Sequence, residues 1–106
     1  MIRHIVFFTA KDRANLPAII EGLSLLGTIP FVDHFEVTEN SRVDQIGNDI
    51  DVVVYAEFAN EAALKAYKAH PTYAEATRLV RPLREQRFAA DVPAAEQAKA
   101  AIRRSA

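Results

Sequence analysis

A chain of 106 residues suits one domain and leaves no room for two ordinary ones. Half of its residues are hydrophobic and a quarter charged, the balance of a globular protein rather than a disordered or membrane-embedded one. A formal net charge of -1 gives no general attraction for nucleic acid or anionic lipid, and the absence of cysteine excludes disulfides and thiolate chemistry.

Residues 2–10, IRHIVFFTA, are apolar on both parities. Ile2, His4, Val6 and Phe8 share one side of a strand, and Arg3, Ile5, Phe7 and Thr9 the other. Such a strand asks for cover on two faces. The apolar run from Ile5 to Ala10 is too short for a membrane span. Lys11, Asp12 and Arg13 follow it in place of a small-residue cleavage site, so a cytoplasmic protein is expected.

Asn15 is the expected cap of a first helix, with Pro17 tolerated in its first turn. Leu16, Ile19, Ile20, Leu23 and Leu26 follow helical spacing and form its apolar face. Gly22 inside it costs up to ~1 kcal/mol against alanine and suggests close packing, while Gly27 is the expected terminator. Residues 31–38 then alternate, with Phe31, Asp33, Phe35 and Val37 against Val32, His34, Glu36 and Thr38, which predicts a half-exposed strand.

Residues 40–50 read as a long polar connection. Asp51 to Phe58, DVVVYAEF, predicts a second strand covered on both faces. Asn60 caps a helix whose Ala63, Leu64 and Tyr67 turn to the core. Pro71 disfavours helical backbone at His70, so the helix breaks there. Thr72 to Glu75 has the pattern of a capping box that starts a new helical segment. Its stripe is Ala76, Leu79, Val80 and Leu83. A last strand is expected over residues 86–92. The alanine-rich tail, 93–106, favours helix by composition but is short enough to fray unless it docks on a partner.

The order βαββαβ is the ferredoxin-like arrangement, an antiparallel sheet with helices on one face. Two strands apolar on both sides leave the second face without cover, and a second copy packed sheet to sheet would supply it. The expectation is an α+β protomer in a dimeric α+β barrel, with one domain over residues 1–92.

The opening IRHIVFF, the strand DVVVYAEF, the helix LKAYKAHP and the closing FAADV, in this order and spacing, resemble the stress-responsive A/B barrel family, the Dabb domains. The resemblance covers about residues 2–92. It implies a ferredoxin-like protomer and a sheet-to-sheet homodimer, in a family whose members mostly lack an assigned activity. A cofactor-free plant polyketide cyclase is a distant catalytic relative. Tyr67 matches its catalytic tyrosine, His70-Pro71 the start of its His-Pro motif, and His4 a histidine of its pocket. Tyr73 stands where that enzyme has its catalytic histidine, and Val52 where it has another pocket histidine.

His4 can be read as a base or donor in a pocket, or as a strand-start histidine satisfied by backbone or water. Tyr67 and His70 lie three apart at a helix end and could together polarise a carbonyl and move a proton. Alternatively, Tyr67 packs and His70 caps the last carbonyls of the helix. Tyr73, a poor base at neutral pH, suits binding better than proton abstraction. Asp49 and Asp51 make a weak cation-site pattern that a solvated turn explains. Arg78, Arg81, Arg84 and Arg87 recur every three residues but are interrupted by Pro82, and read as solvated, with Arg87 on the parity of Ala89 and Asp91.

The expected function is that of a homodimer binding a small, largely apolar molecule between sheet and helices, lined by His4, Val6, Phe8, Val54, Tyr67 and Tyr73. The alternatives are a cofactor-free cyclase or monooxygenase-like enzyme using His4, Tyr67 and His70, or a non-catalytic stress or interaction protein. No metal, cofactor, nucleic acid or membrane partner is expected.

Overall fold

The computed structural model describes residues 1–94. Its elements run β1 (Ile2–Ala10), α1 (Leu16–Ser24), β2 (His34–Glu39), β3 (Val52–Phe58), α2 (Glu61–Ala69), α3 (Pro71–Val80) and β4 (Arg84–Pro93). The strands form one antiparallel sheet in the order β2-β3-β1-β4. This is the ferredoxin-like α+β fold expected from the pattern, with the second helical segment divided into α2 and α3.

The register explains where the core sits. His4 pairs with Ala56, Val6 with Val54 and Phe8 with Val52, and all six are buried on one face. Ile19 and Leu23 of α1, Tyr67 of α2, and Ala76 and Val80 of α3 close over them. The intervening residues Ile5, Phe7, Val53 and Tyr55 turn to the other face and are only half-buried. Gly22 is where α1 meets α3: a Cβ there would lie 2.9 Å from a methyl of Val80. No helix of the described residues is long and apolar enough to cross a membrane.

Several boundaries differ from expectation for local reasons. Asp12, not Asn15, does the first capping: its carboxylate accepts the Ala14 N–H at 2.9 Å, and a 3-10 turn over Arg13–Asn15 leads into α1. Gly27 does not end the helix in a left-handed turn. The chain continues through a 3-10 turn, Leu25–Thr28, and Gly27 is required because a Cβ would sit 2.7 Å from the Phe35 ring.

At the second break, His70 rather than Thr72 caps α3. Extended backbone at His70 (ψ 140°) ends α2, its Nδ1 accepts the Thr72 N–H at 3.1 Å, and Pro71 begins α3. The expected cap on the carbonyls of α2 is therefore not the bond that its ring makes. β4 starts at Arg84, two residues early, and runs through Pro93, which an edge strand tolerates. The tail helix expected over 93–106 falls, beyond Ala94, outside the described residues.

Asp51 is not in a solvated turn. It is 4% exposed, accepts the Ala10 N–H at 2.7 Å, and receives the Arg42 guanidinium, with Arg13 at 3.5 Å. Arg42 adopts left-handed backbone (φ 58°) and also donates to the Asn48 carbonyl at 2.6 Å. One carboxylate thus ties β1, the long connection and β3 together.

Burial pushes the Asp51 pKa up, but the Ala10 N–H and the two guanidinium groups outweigh it, so the carboxyl titrates below its ordinary value. Its stability contribution is present above about 3.8 and lost as pH falls through the lower folded value. Asp51→Ala is expected to cost about 1–3 kcal/mol in urea unfolding at neutral pH, with a shallower loss of stability in acid. A variant as stable as its parent would contradict this role.

Candidate functional site

β1 and β3 present a row of inward side chains, His4, Val6, Phe8 and Val54, to the underside of the helices. The helices do not fill the space completely. A cavity of about 340 Å³ remains, floored by those four residues. Leu23 and Leu26 bound it on one side, and Tyr67, Tyr73, Ala76 and Val80 roof it. The bend at His70–Pro71 creates this roof. It lets Tyr67 from the last turn of α2 and Tyr73 from the first turn of α3 both point at the sheet, edge to face with centroids 5.3 Å apart.

His4 lies at the end of the floor. Its ring packs edge-on to Phe58 and Tyr67, each with centroids 6.2 Å away. Its Nδ1 is 2.6 Å from an oxygen of Asp91 on β4, which the register places directly opposite. The histidine side chain is 2% exposed and the aspartate 39%, so the carboxylate reaches the pair from the surface side.

Burial lowers the His4 pKa most, and the positive charges of Lys68 and Arg87 add to that; the Asp91 hydrogen bond and charge oppose it. The net result lies below the ordinary 6.5, so the ring is neutral at pH 7. A neutral ring that donates Nδ1–H to Asp91 keeps Nε2 as an acceptor. Tyr67 is shifted the other way. Burial, chiefly, and the neighbouring Tyr73 raise its pKa against the pull of Arg87, so it stays a phenol that can donate. An acceptor and a donor thus line one cavity.

Six of the residues singled out in the sequence, His4, Val6, Phe8, Val54, Tyr67 and Tyr73, line this one cavity. His70 does not line it: its Nδ1 is engaged at the start of α3 and its ring stands edge-on to Phe31. Sequence reasoning missed Asp91 as the partner of His4. The parity of Asp91 was legible, but its position depends on β4 lying beside β1. It also missed Lys68, Arg81 and Arg84 as lining residues. Among the described residues, no group of three or more His, Cys, Asp or Glu is placed to hold a metal ion.

The model of the Stress Responsive A/B Barrel Domain family, Dabb, matches residues 2–94. A Dabb family protein with a ferredoxin-like fold from Mesorhizobium loti is 29% identical, over 88% of this chain and 96% of that one, with a TM-score of 0.72. A dimeric ferredoxin-like protein of unknown function from Thermobifida fusca is 25% identical, over 88% and 90% of the two chains, with a TM-score of 0.75. A structure described as an antibiotic biosynthesis monooxygenase has a TM-score of 0.65 at 19% identity, covering 89% of this chain and 98% of that one, a likeness of fold alone. No curated protein matches the sequence significantly.

The His4–Asp91 geometry makes a prediction that needs no substrate. In an NMR titration the His4 imidazole should show a midpoint below 6.5. Asp91→Asn should lower it further, because the carboxylate favours the protonated ring. An unchanged or raised midpoint in the variant would mean that the two groups do not interact.

Proposed function

This chain belongs to the Dabb family, and from that premise we propose that it acts as a homodimer, joined through its outer sheet faces, whose cavity binds a small, largely apolar molecule. The observation that carries the binding reading is the cavity itself, about 340 Å³ between sheet and helices, with an apolar floor, the inward polar groups of His4 and Tyr67, and basic side chains along one side. That volume is at the small end of the ~300–1,000 Å³ typical of ligand sites, and it suits a molecule of one ring or a short chain.

The dimer reading rests on the outer face. Ile5, Phe7 and Val53 are half-buried there, and Phe88, paired with Phe7, is 51% exposed. The Nε of Arg3 on the same face is buried without a hydrogen-bond partner among the described residues. An apolar face of this kind is suited to a second copy, and the Thermobifida fusca relative is described as dimeric.

A second reading, cofactor-free chemistry on a carbonyl compound of the cyclase or monooxygenase type, is favoured by one observation. His4 is neutral, oriented through Nδ1 by Asp91, and shares the cavity with the Tyr67 phenol. In that reading Nε2 of His4 takes a proton while Tyr67 donates a hydrogen bond to the developing oxyanion.

The binding reading is tested with a neutral probe, 4-tert-butylbenzamide. Saturable shifts of the Val6, Val54 and Val80 methyl resonances are expected, and shifts that do not saturate, or that fall elsewhere, would refute it. For the enzymatic reading, Tyr67→Phe should reduce turnover of an identified carbonyl substrate by about 10²-fold or more while leaving the thermal unfolding midpoint intact. Undiminished turnover would leave Tyr67 a packing residue.

A further inference from the structure

The polar side of the cavity carries charge of one sign. Lys68, Arg81, Arg84 and Arg87 line it, and no aspartate or glutamate does. Among the described residues none of these four forms an ion pair with a carboxylate, whereas Arg13, Arg42 and Arg78 each do. Lys68, Arg81 and Arg87 are exposed and Arg84 is half-buried, so solvent screens part of their mutual repulsion, and an anion in the cavity would relieve the rest.

The placement of Arg84 takes a specific backbone device. In a regular strand, residues three apart face opposite sides, so Arg84 and Arg87 would not share a face. The register between β1 and β4 shifts here: Arg87 pairs with Phe8, and Arg84 with Ala10. Two steps along β1 therefore match three along β4, and this extra residue returns Arg84 to the inward parity. The Gln86 N–H is satisfied by the Thr9 hydroxyl at 2.9 Å. The bulge thus puts both arginines on the face of β4 that borders the cavity.

We propose that this cavity selects small amphipathic monoanions, aryl or alkyl carboxylates, with the apolar body against Val6, Val54 and Val80 and the carboxylate on Arg84 and Arg87. The inference rests on the cavity being a ligand site, and adds to it the class of ligand. Guanidinium groups match a carboxylate in both charge and planar shape. The apolar floor rewards a hydrocarbon body that free inorganic anions lack.

The test compares two probes of equal size, 4-tert-butylbenzoate and 4-tert-butylbenzamide, on the full chain by NMR titration. At low ionic strength the benzoate should bind about tenfold tighter, the effect of one or two charge-assisted hydrogen bonds on a partly solvated rim. The double variant Arg84→Gln, Arg87→Gln should lose that preference and keep its affinity for the amide. Lysine at both positions should restore part of it.

Should the double variant fail to fold, the parent protein still decides the matter. Raising NaCl from about 50 to 500 mM should weaken the benzoate and spare the amide. Equal affinity for the two probes, or a preference that survives both the glutamine variant and high salt, overturns the anion inference while leaving the cavity a binding site. If neither probe shifts the three valines, both readings fall together.

Discussion

Everything in this protein follows from a sheet whose two central strands are apolar on both faces, while every helix among the described residues packs on one of them. The inner side of β1 and β3 carries His4, Val6, Phe8, Val52, Val54, Ala56 and Phe58, all buried. The outer side carries Ile5, Phe7, Val53 and Tyr55, all half-buried. Burial of apolar area is worth about 25 cal/mol per Å², and a chain this short has little core to spare. The uncovered face is therefore the largest unmet demand in the structure, and the helical face is where a ligand space can exist.

The shape of that space depends on small local features. The bend at His70–Pro71 divides one helical stretch into α2 and α3 and aims Tyr67 and Tyr73 at the sheet. Gly22 brings α1 against Val80, which closes one flank. On the opposite flank β4 is exposed along most of its length, and its inward positions include Arg84, Arg87, Ala89 and Asp91. The edge strand thus supplies polarity where the helices supply cover. Asp91 orients His4 from the surface side, and the arginines line the cavity.

Much of this was legible in the sequence. Continuous apolar runs identified β1 and β3, and the shared parity of His4, Val6 and Phe8 pointed to the side of β1 that faces the helices. Pro71 marked the break, and the resemblance pointed to Tyr67 and Tyr73. What stayed hidden required knowing which strands are neighbours. Asp91 meets His4 only because β4 pairs with β1 in that register, 87 residues away in the chain. Arg84 reaches the cavity through a bulge that its three-residue spacing from Arg87 argued against. Asp51 looked like a loop acid because its partner Arg42 depends on a left-handed residue in a polar connection. His70 carried the chemical suggestion of a motif, yet its ring is taken up by the backbone of α3.

The central claim is that a second copy of the chain covers the outer sheet face. The most direct measurement is an isotope-filtered nuclear Overhauser experiment on a mixture of labelled and unlabelled protein, which reports only contacts between copies. The account predicts intermolecular signals from Ile5, Phe7, Val53 and Phe88, and none from the helix residues over the cavity. Signals confined to the helices, or their absence at millimolar concentration, would contradict it.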